Sequence, residues 1–414
     1  MSTLKDVFRR IDESREKIIT LQKNLTSRPA LGPVNGGQGE HEKAGYLKEI
    51  LRDLQPDIME EIKAPDDRAR DGYRPNLLAQ WKGEIQDQTV WGLSHMDIVP
   101  PGDLSLWDGD PYRIRVEGDR IIGRGVQDDQ HGIVSSYIAL WAVKESGLNL
   151  GRSVGLGFLA DEETGSQYGL EYVLTHHGHY FDPGDLIIVP DAGNDDGTMI
   201  EVAEKSMLWL KLTVKGVQCH ASTPEKGENS LVGAAKLILA LERLNEKFNL
   251  SDDLFRPATS TFASTKMEAN VPNINTIPGL DVFYLDCRIL PQYRVDEILS
   301  AAEEMAGEVA RSTGLSIRVE VVQRQDAAAP IPSDAPVVKE LVKAIKIVSG
   351  LDAAPMGIGG GTVAAFFRKA NLPAAVWMTS SDSAHQPNEY CLIGDIIKDA
   401  KIFACLYMNE YEIS

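Results

Sequence analysis

At 414 residues the chain is longer than one hydrophobic core usually organises, so two domains are expected, one of them interrupting the other. A composition of 43% hydrophobic and 25% charged residues excludes disordered and fibrous classes, and a formal charge of -19 opposes stable association with nucleic acid or an anionic membrane. The four cysteines, Cys219, Cys287, Cys391 and Cys405, lack Cys-x-x-Cys spacing and are too sparse to staple such a chain, so they read as reduced thiols of a cytoplasmic protein.

In chain order, Met1 to Leu21 reads as a charged amphipathic helix with Val7, Ile11 and Ile18 on its apolar side, and it lacks the apolar core of a signal peptide. No apolar run approaches membrane-spanning length. From Thr89 to Ala203 short apolar runs alternate with helical patterns, which predicts an α/β domain built on a mostly parallel sheet. Its key runs are Thr89 to Ser94, Val154 to Ala160 and Leu186 to Val189. An amphipathic helix should start at the loop Asp128 to Gly132, with Ile133, Tyr137, Leu140 and Trp141 at helical spacing.

A different rhythm begins near Met207. Strand (Met207 to Val214), helix (Ser230 to Phe248), strands (Ser260 to Ser264, Val282 to Ile289), helix (Val295 to Gly314) and strand (Ser316 to Val322) follow one another. That order, βαββαβ, is the split unit of ferredoxin-like domains and predicts an inserted domain at residues 206–322. Residues 1–205 and 323–414 then form one discontinuous domain, joined across the Ala-Pro-rich segment Ala327 to Pro336. Beyond it, Val337 to Ser349 is predicted helical, Gly359 to Thr362 is a glycine turn opening another helix, and Ala374 to Met378 is a buried strand.

In an open parallel sheet, ligands gather beyond the carboxyl ends of the strands. After Thr89 to Ser94 come His95 and Asp97; after Val154 to Ala160 come Asp161, Glu162 and Glu163; after Leu186 to Pro190 comes Asp191; after Ala374 to Met378 comes a loop bearing His385. With Asp128 at a helix start, several negative charges would share one crevice, which is unfavourable unless cations compensate. Imidazole and carboxylate donors without cysteine suit zinc, and also manganese or cobalt. His41, His131, His176, His177 and His179 are expected as loop or surface residues.

These segments resemble the M20 metallopeptidases and deacylases over nearly the whole chain. Ser94-His95-Met96-Asp97-Ile98-Val99-Pro100 looks like the family's first metal motif, Gly123-Arg124-Gly125-Val126-Gln127-Asp128-Asp129 like the second, Asp161-Glu162-Glu163-Thr164-Gly165 like the third, and Ser383-Ala384-His385-Gln386-Pro387-Asn388-Glu389 like the last. The resemblance implies a zinc-peptidase-like catalytic domain carrying a lid domain, the inserted one. It also implies one divalent cation held by His95, Asp128 and Asp191 and a second by Asp128, Glu163 and His385, about 3.5 to 4 Å apart with a hydroxide between them. Glu162 is the implied general base, Asp97 a carboxylate that fixes the His95 tautomer, and Asp128-Asp129 a cis peptide.

In the inserted domain, Gly216-Val217-Gln218-Cys219-His220-Ala221-Ser222-Thr223-Pro224 is similar to the motif whose histidine polarises the scissile carbonyl, which makes His220 an oxyanion donor. On the strand Val282 to Ile289, alternation puts Phe283, Leu285, Cys287 and Ile289 on one face and Tyr284, Asp286 and Arg288 on the other. Arg288 matches the family arginine that meets a substrate carboxylate, with an ion pair to Asp286 as its plain alternative. Asn275, Gly360, Gly361 and Thr362 join it as substrate-binding candidates. The glycine turn lacks the lysine and spacing of a phosphate loop.

Two departures bear on the subgroup. Gln130 and His131 stand where the family usually has lysine and glycine, and Asp191 precedes Ala192-Gly193 where the deacylases typically carry glutamate. The aspartate favours a di- or tripeptide over an N-acyl amino acid substrate of the acetylornithine or succinyl-diaminopimelate kind. A base and an oxyanion donor beside five ligands favour an enzyme over a metal-bound binding module. A homodimer through the lid domain is expected, because its sheet must leave edge strands.

Overall fold

The computed structural model describes residues 3–412, which form two compact units. One takes the chain as far as Val202, then Ile331–Pro355, then the chain from Thr362; the other takes Ala203–Pro330 and Met356–Gly361. The second unit is longer than the expected 206–322, since its last strand runs on to Gln325 and the Ala327 N–H donates to Ser206 Oγ at 2.9 Å.

The first unit is built on a sheet whose four central strands, Arg152–Leu159, Ile85–His95, Leu186–Asn194 and Ala374–Thr379, are adjacent and parallel. Antiparallel strands Tyr73–Trp81 and Ile58–Pro65 extend one side; on the other, Met199–Glu204 pairs antiparallel with Ala374–Thr379 and Ala354–Ile358 forms the edge. Every residue of Arg152–Leu159 and of Ala374–Thr379 is buried, as expected of strands covered on both faces. Gly155 and Gly157 lie beside Trp91 and Leu93 in the paired register. A Cβ at Gly155 would stand 2.2 Å from Trp91 Cε3, so glycine there is what admits a fully buried indole.

The helix Gln130–Glu145 begins as expected, with the Asp129 carboxylate accepting the Gly132 N–H. It is buried on nearly every side instead of amphipathic, since it packs against both the sheet and the carboxyl-terminal helix Ile393–Met408. At the amino end two helices, Leu4–Asp12 and Arg15–Thr26, replace the expected single one, with Ser14 Oγ donating to Ile11 O at the break; Met1 and Ser2, part of that expectation, lie outside the described residues. Val7, Ile11 and Ile18 are buried. In a small three-stranded sheet Arg120–Ile122 is central, paired with Tyr390–Leu392 on one side and Arg115–Glu117 on the other.

The second unit contains a four-stranded antiparallel sheet in the order Thr261–Met267, Leu280–Ile289, Ser206–Lys215, Ser316–Gln325. The chain order is βαββαβ, with the expected helix Ser230 to Phe248 broken at Glu242 into Ser230–Leu241 and Arg243–Lys247. Leu208, Leu210, Leu212, Phe283, Leu285 and Cys287 pack against Leu237, Ile298 and Met305 in one core. The alternation of Leu280–Ile289 buries Cys287 and leaves Asp286 and Arg288 half-buried on the opposite face.

Replacing Gly155 by alanine should lower stability by about 1–3 kcal/mol through overpacking against Trp91. Thermal unfolding of the variant checks this, and an unchanged midpoint would contradict it.

Candidate metal centre

Adjacent parallel strands end side by side, so the residues that follow them meet. His95 closes its strand, and Glu162 and Glu163 lie in the turn after Leu159. Asp191 sits in a bulge: Val189 pairs with Val376 and Gly193 with Met378, leaving Pro190, Asp191 and Ala192 opposite Trp377 alone. A bulge re-aims a side chain out of the pleat. His385 is carried by the loop after Thr379, at a positive φ of 64°.

Asp128 is the common neighbour. Its Oδ1 lies 2.8 Å from His95 Nε2 and its Oδ2 lies 3.0 Å from His385 Nε2. His95 Nε2 is also 3.6 Å from Asp191 Oδ1, and His385 Nε2 is 3.2 Å from Glu163 Oε1. The structure therefore brings together all five residues expected as ligands, with one carboxylate facing both histidines through different oxygens. Ligand atoms of His95, Asp128 and Glu163 lie within 4.8 Å of one another, and so do those of His95, Asp129 and Asp191. Asp129 is otherwise engaged: its oxygens accept the His95 N–H at 3.1 Å and the Gly132 N–H at 3.2 Å. The Asp128-Asp129 peptide is cis.

Asp97 does more than stand behind His95. Its carboxylate accepts the N–H groups of Glu162 at 3.0 Å and Glu163 at 3.1 Å, while the closer partner of His95 Nδ1 is the Asp97 carbonyl, at 3.0 Å against 3.5 Å for the carboxylate. One aspartate thus orients the imidazole and the turn bearing two further functional carboxylates. Glu162 lines a narrow cleft with His95, Asp191, Ser166 and Val363.

The protonation tendencies follow from crowding like charges where water is scarce. Burial, then the Asp191 carboxylate, pushes Glu162 well above the carboxylate range, and burial raises Glu163 and Asp129 too. Burial disfavours a charged His95, yet Asp128, Asp191 and Asp97 outweigh it and raise its pKa well above the ordinary value. Hydrogen bonds to Asp128 and then Glu163 raise His385 to about 10. Asp128 is held below its usual range: burial opposes this, and the two histidines prevail.

Several contributors were not legible in sequence. Glu389 is buried and accepts N–H groups from Gly125, Gln127 and Asp128. Arg74, fully buried, donates to Glu40 and to Asp161 (3.2 Å), and the Lys43 ammonium donates to Met96 O at 2.8 Å. Burial pushes Glu40 up to about 7 and Lys43 down to about 8. His131 is not a loop or surface residue: it is fully buried with Nε2 2.9 Å from Asp399 Oδ2, because the helix it opens is enclosed.

In the second unit, His220 lies on a two-residue strand paired with Thr276–Ile277, and the Asn275 carbonyl accepts the Ala221 N–H at 2.9 Å. The Ser222 N–H points at His220 Nδ1 from 3.1 Å, so that nitrogen is the acceptor and the neutral ring carries its proton on Nε2, the tautomer an oxyanion donor needs. Arg288 holds Asp286 with two N–H groups (2.8 and 3.1 Å) and donates to Gly359 O at 3.0 Å, so it anchors the turn carrying Gly360 and Gly361. Thr362 falls in the first unit, where its Oγ1 accepts the Ala364 N–H at 3.2 Å; the helix it precedes has 6 residues, Ala364–Lys369.

Residues 93–409 match the family model described as peptidase family M20/M25/M40. An uncharacterized metallohydrolase of Methanocaldococcus jannaschii is 38% identical over 403 residues, covering 94% of this chain and 98% of that protein. The succinyl-diaminopimelate desuccinylase of Gluconacetobacter diazotrophicus is 25% identical over 389 residues, 93% of this chain and 95% of that protein. Among solved structures, a di-peptidase from Saccharomyces cerevisiae is similar with TM-score 0.72 and 16% identity over 99% of both chains. An M20 family metallo-carboxypeptidase from Sulfolobus solfataricus gives 0.70 at 19% identity, over 96% of this chain and 99% of that one. At such identities these two likenesses speak to the fold.

Raised carboxyl and imidazole pKa values have one sign in common: the folded chain without cations binds protons that the unfolded chain releases. For His385 the stabilisation is complete below 6.5 and is lost as pH rises through about 10. The melting temperature of chelator-treated protein should therefore fall between pH 6.5 and 10, and added divalent cation should raise it most at the alkaline end. A series of melts showing no pH slope in that window would contradict the charge balance.

Proposed function

The chain belongs to peptidase family M20/M25/M40, and from that premise we propose that it cleaves the amide bond of a di- or tripeptide with the help of two divalent cations, zinc by preference. It is a metal-dependent hydrolase of C–N amide bonds. The observation that carries the two-cation reading is the division of Asp128, one oxygen toward His95 and the other toward His385. The donor set fits: two imidazoles and three carboxylates, nitrogen and oxygen donors that suit borderline and hard cations, with no thiolate among them. Cations held there supply Lewis acidity toward a carbonyl oxygen and lower the pKa of coordinated water.

The chain's own groups divide the remaining work. The pKa of Glu162 is raised by burial and by the Asp191 carboxylate in the cation-free chain; with cations balancing those charges it would be ionised, and would take a proton from the attacking water and return it to the leaving amine. Asp97 holds the backbone of Glu162 and Glu163 in place through two N–H bonds. His220 offers Nε2–H to the developing oxyanion. Arg288 has two N–H groups beyond those that Asp286 and Gly359 O hold, and these, with Asn275 and the turn Gly360-Gly361, would meet a substrate carboxylate.

Asp191 supports the peptide substrate. A second reading, deacylation of an N-acyl amino acid, is favoured by the desuccinylase relative at 25% identity. Four free cysteines support a cytoplasmic setting, and no helix among the described residues is long and apolar enough to cross a membrane. The edge strands Thr261–Met267 and Ser316–Gln325 support a homodimer through the second unit, which light scattering at micromolar concentration should reveal and a monomer would contradict.

Glu162→Ala should keep both cations while turnover falls by about 100-fold or more, and an unchanged rate would remove Glu162 as the base. Amine release from a panel of dipeptides, tripeptides, N-acetyl- and N-succinyl-amino acids, with and without chelator, tests the substrate. Chelator-sensitive cleavage confined to peptides with a free amino terminus is the expected result; cleavage of acyl amino acids alone would move the protein to the deacylases.

A further inference from the structure

The loop that carries His385 also carries Glu389, and the two residues approach Asp128 from different sides. His385 Nε2 lies 3.0 Å from the Asp128 carboxylate, while Glu389 Oε1 accepts the Asp128 backbone N–H at 3.1 Å. Glu389 Oε1 also accepts the Gln127 N–H at 3.0 Å, and Oε2 accepts the Gly125 N–H at 3.1 Å and a hydrogen bond from Arg124 Nη1. Its carbonyl accepts the Gly123 N–H at 2.9 Å. Both side chains of the pair are buried, Arg124 at 2% and Glu389 at 0% exposure, and Tyr390–Leu392 continues directly into pairing with Arg120–Ile122.

We propose that Glu389 is a positioning residue: it clasps the backbone of residues 125–128 so that both Asp128 oxygens present themselves to two cations at once. The inference rests on the reading of Asp128 as the shared ligand. A carboxylate suits the task because four donors converge on it, two per oxygen. A glutamine would turn an NH2 toward one of those donor pairs, losing two hydrogen bonds and opposing their donors. Because Asp128 serves both cations, misplacing it weakens both, whereas loss of a residue that serves one should weaken one.

Isothermal titration of Zn2+ into chelator-stripped protein, with the visible spectrum of the Co2+ form as a second readout, tests this. Glu389→Gln should weaken both ions together by about 10- to 100-fold and alter the Co2+ spectrum at saturation. Both affinities within twofold of the parent, or a loss confined to one ion, would overturn the role of Glu389. Should that variant fail to fold, Arg124→Met leaves the three N–H donors on the carboxylate and is expected to show a smaller paired loss; unchanged affinities there overturn the proposal as well. Asp128→Asn run in parallel separates the two ideas. If it loses both ions while the Glu389 and Arg124 variants lose none, the clasp fails alone; if it keeps both ions, the shared-ligand reading beneath the clasp fails.

Discussion

Four carboxylates, those of Asp128, Glu162, Glu163 and Asp191, crowd one cleft with the imidazoles of His95 and His385, and the catalytic unit is organised around balancing that charge. Gathering like charges away from water is unfavourable unless something positive stands among them. Protons do it in the cation-free chain, which is why Glu162, Glu163, His95 and His385 are all displaced toward their protonated forms. Divalent cations do it in an enzyme of this family, and the protons those groups hold in the cation-free chain then leave.

The fold makes that crowding possible by bearing its cost elsewhere. Parallel strands end together, so four separate segments deliver candidate ligands without a long loop, and the bulge at Pro190-Asp191-Ala192 re-aims one strand's side chain. Rigid burial behind the strands fixes the ends: Trp91 fits only because Gly155 lies beside it. Around the ligands a second set of charges holds backbone instead of cations. Asp97 takes two N–H groups of the Glu162 turn, Glu389 takes three of the Asp128 loop, and Arg74 ties Asp161 to Glu40.

Much of this was legible in the chain because period and placement are local properties. The apolar runs at Thr89, Val154, Leu186 and Ala374 marked the parallel core, and the acidic or imidazole residues after them marked the crevice; the division of these residues and Asp128 between two cations came from the family resemblance. What escaped was set by tertiary burial. The helix after Asp129 looked amphipathic because Gln130, His131, Ser135 and Ser136 are polar, yet it is enclosed and His131 finds Asp399 across more than 200 residues of chain, an |i−j| of 268. Glu389 stood in a recognised motif with no role, because its partners are backbone N–H groups of a distant loop, which no side-chain pattern records. Met199–Glu204, second from one end of the sheet, and Ala354–Ile358 at its edge are short and flanked by ordinary loops, and left no period to read.

Anomalous diffraction from crystals of the zinc-loaded protein tests most directly whether two cations share Asp128. The account predicts two peaks, one beside His95 and Asp191 and one beside Glu163 and His385, each within about 2.0–2.2 Å of a different Asp128 oxygen. A single peak, or a pair in which Asp129 takes the place of Asp128, would contradict it.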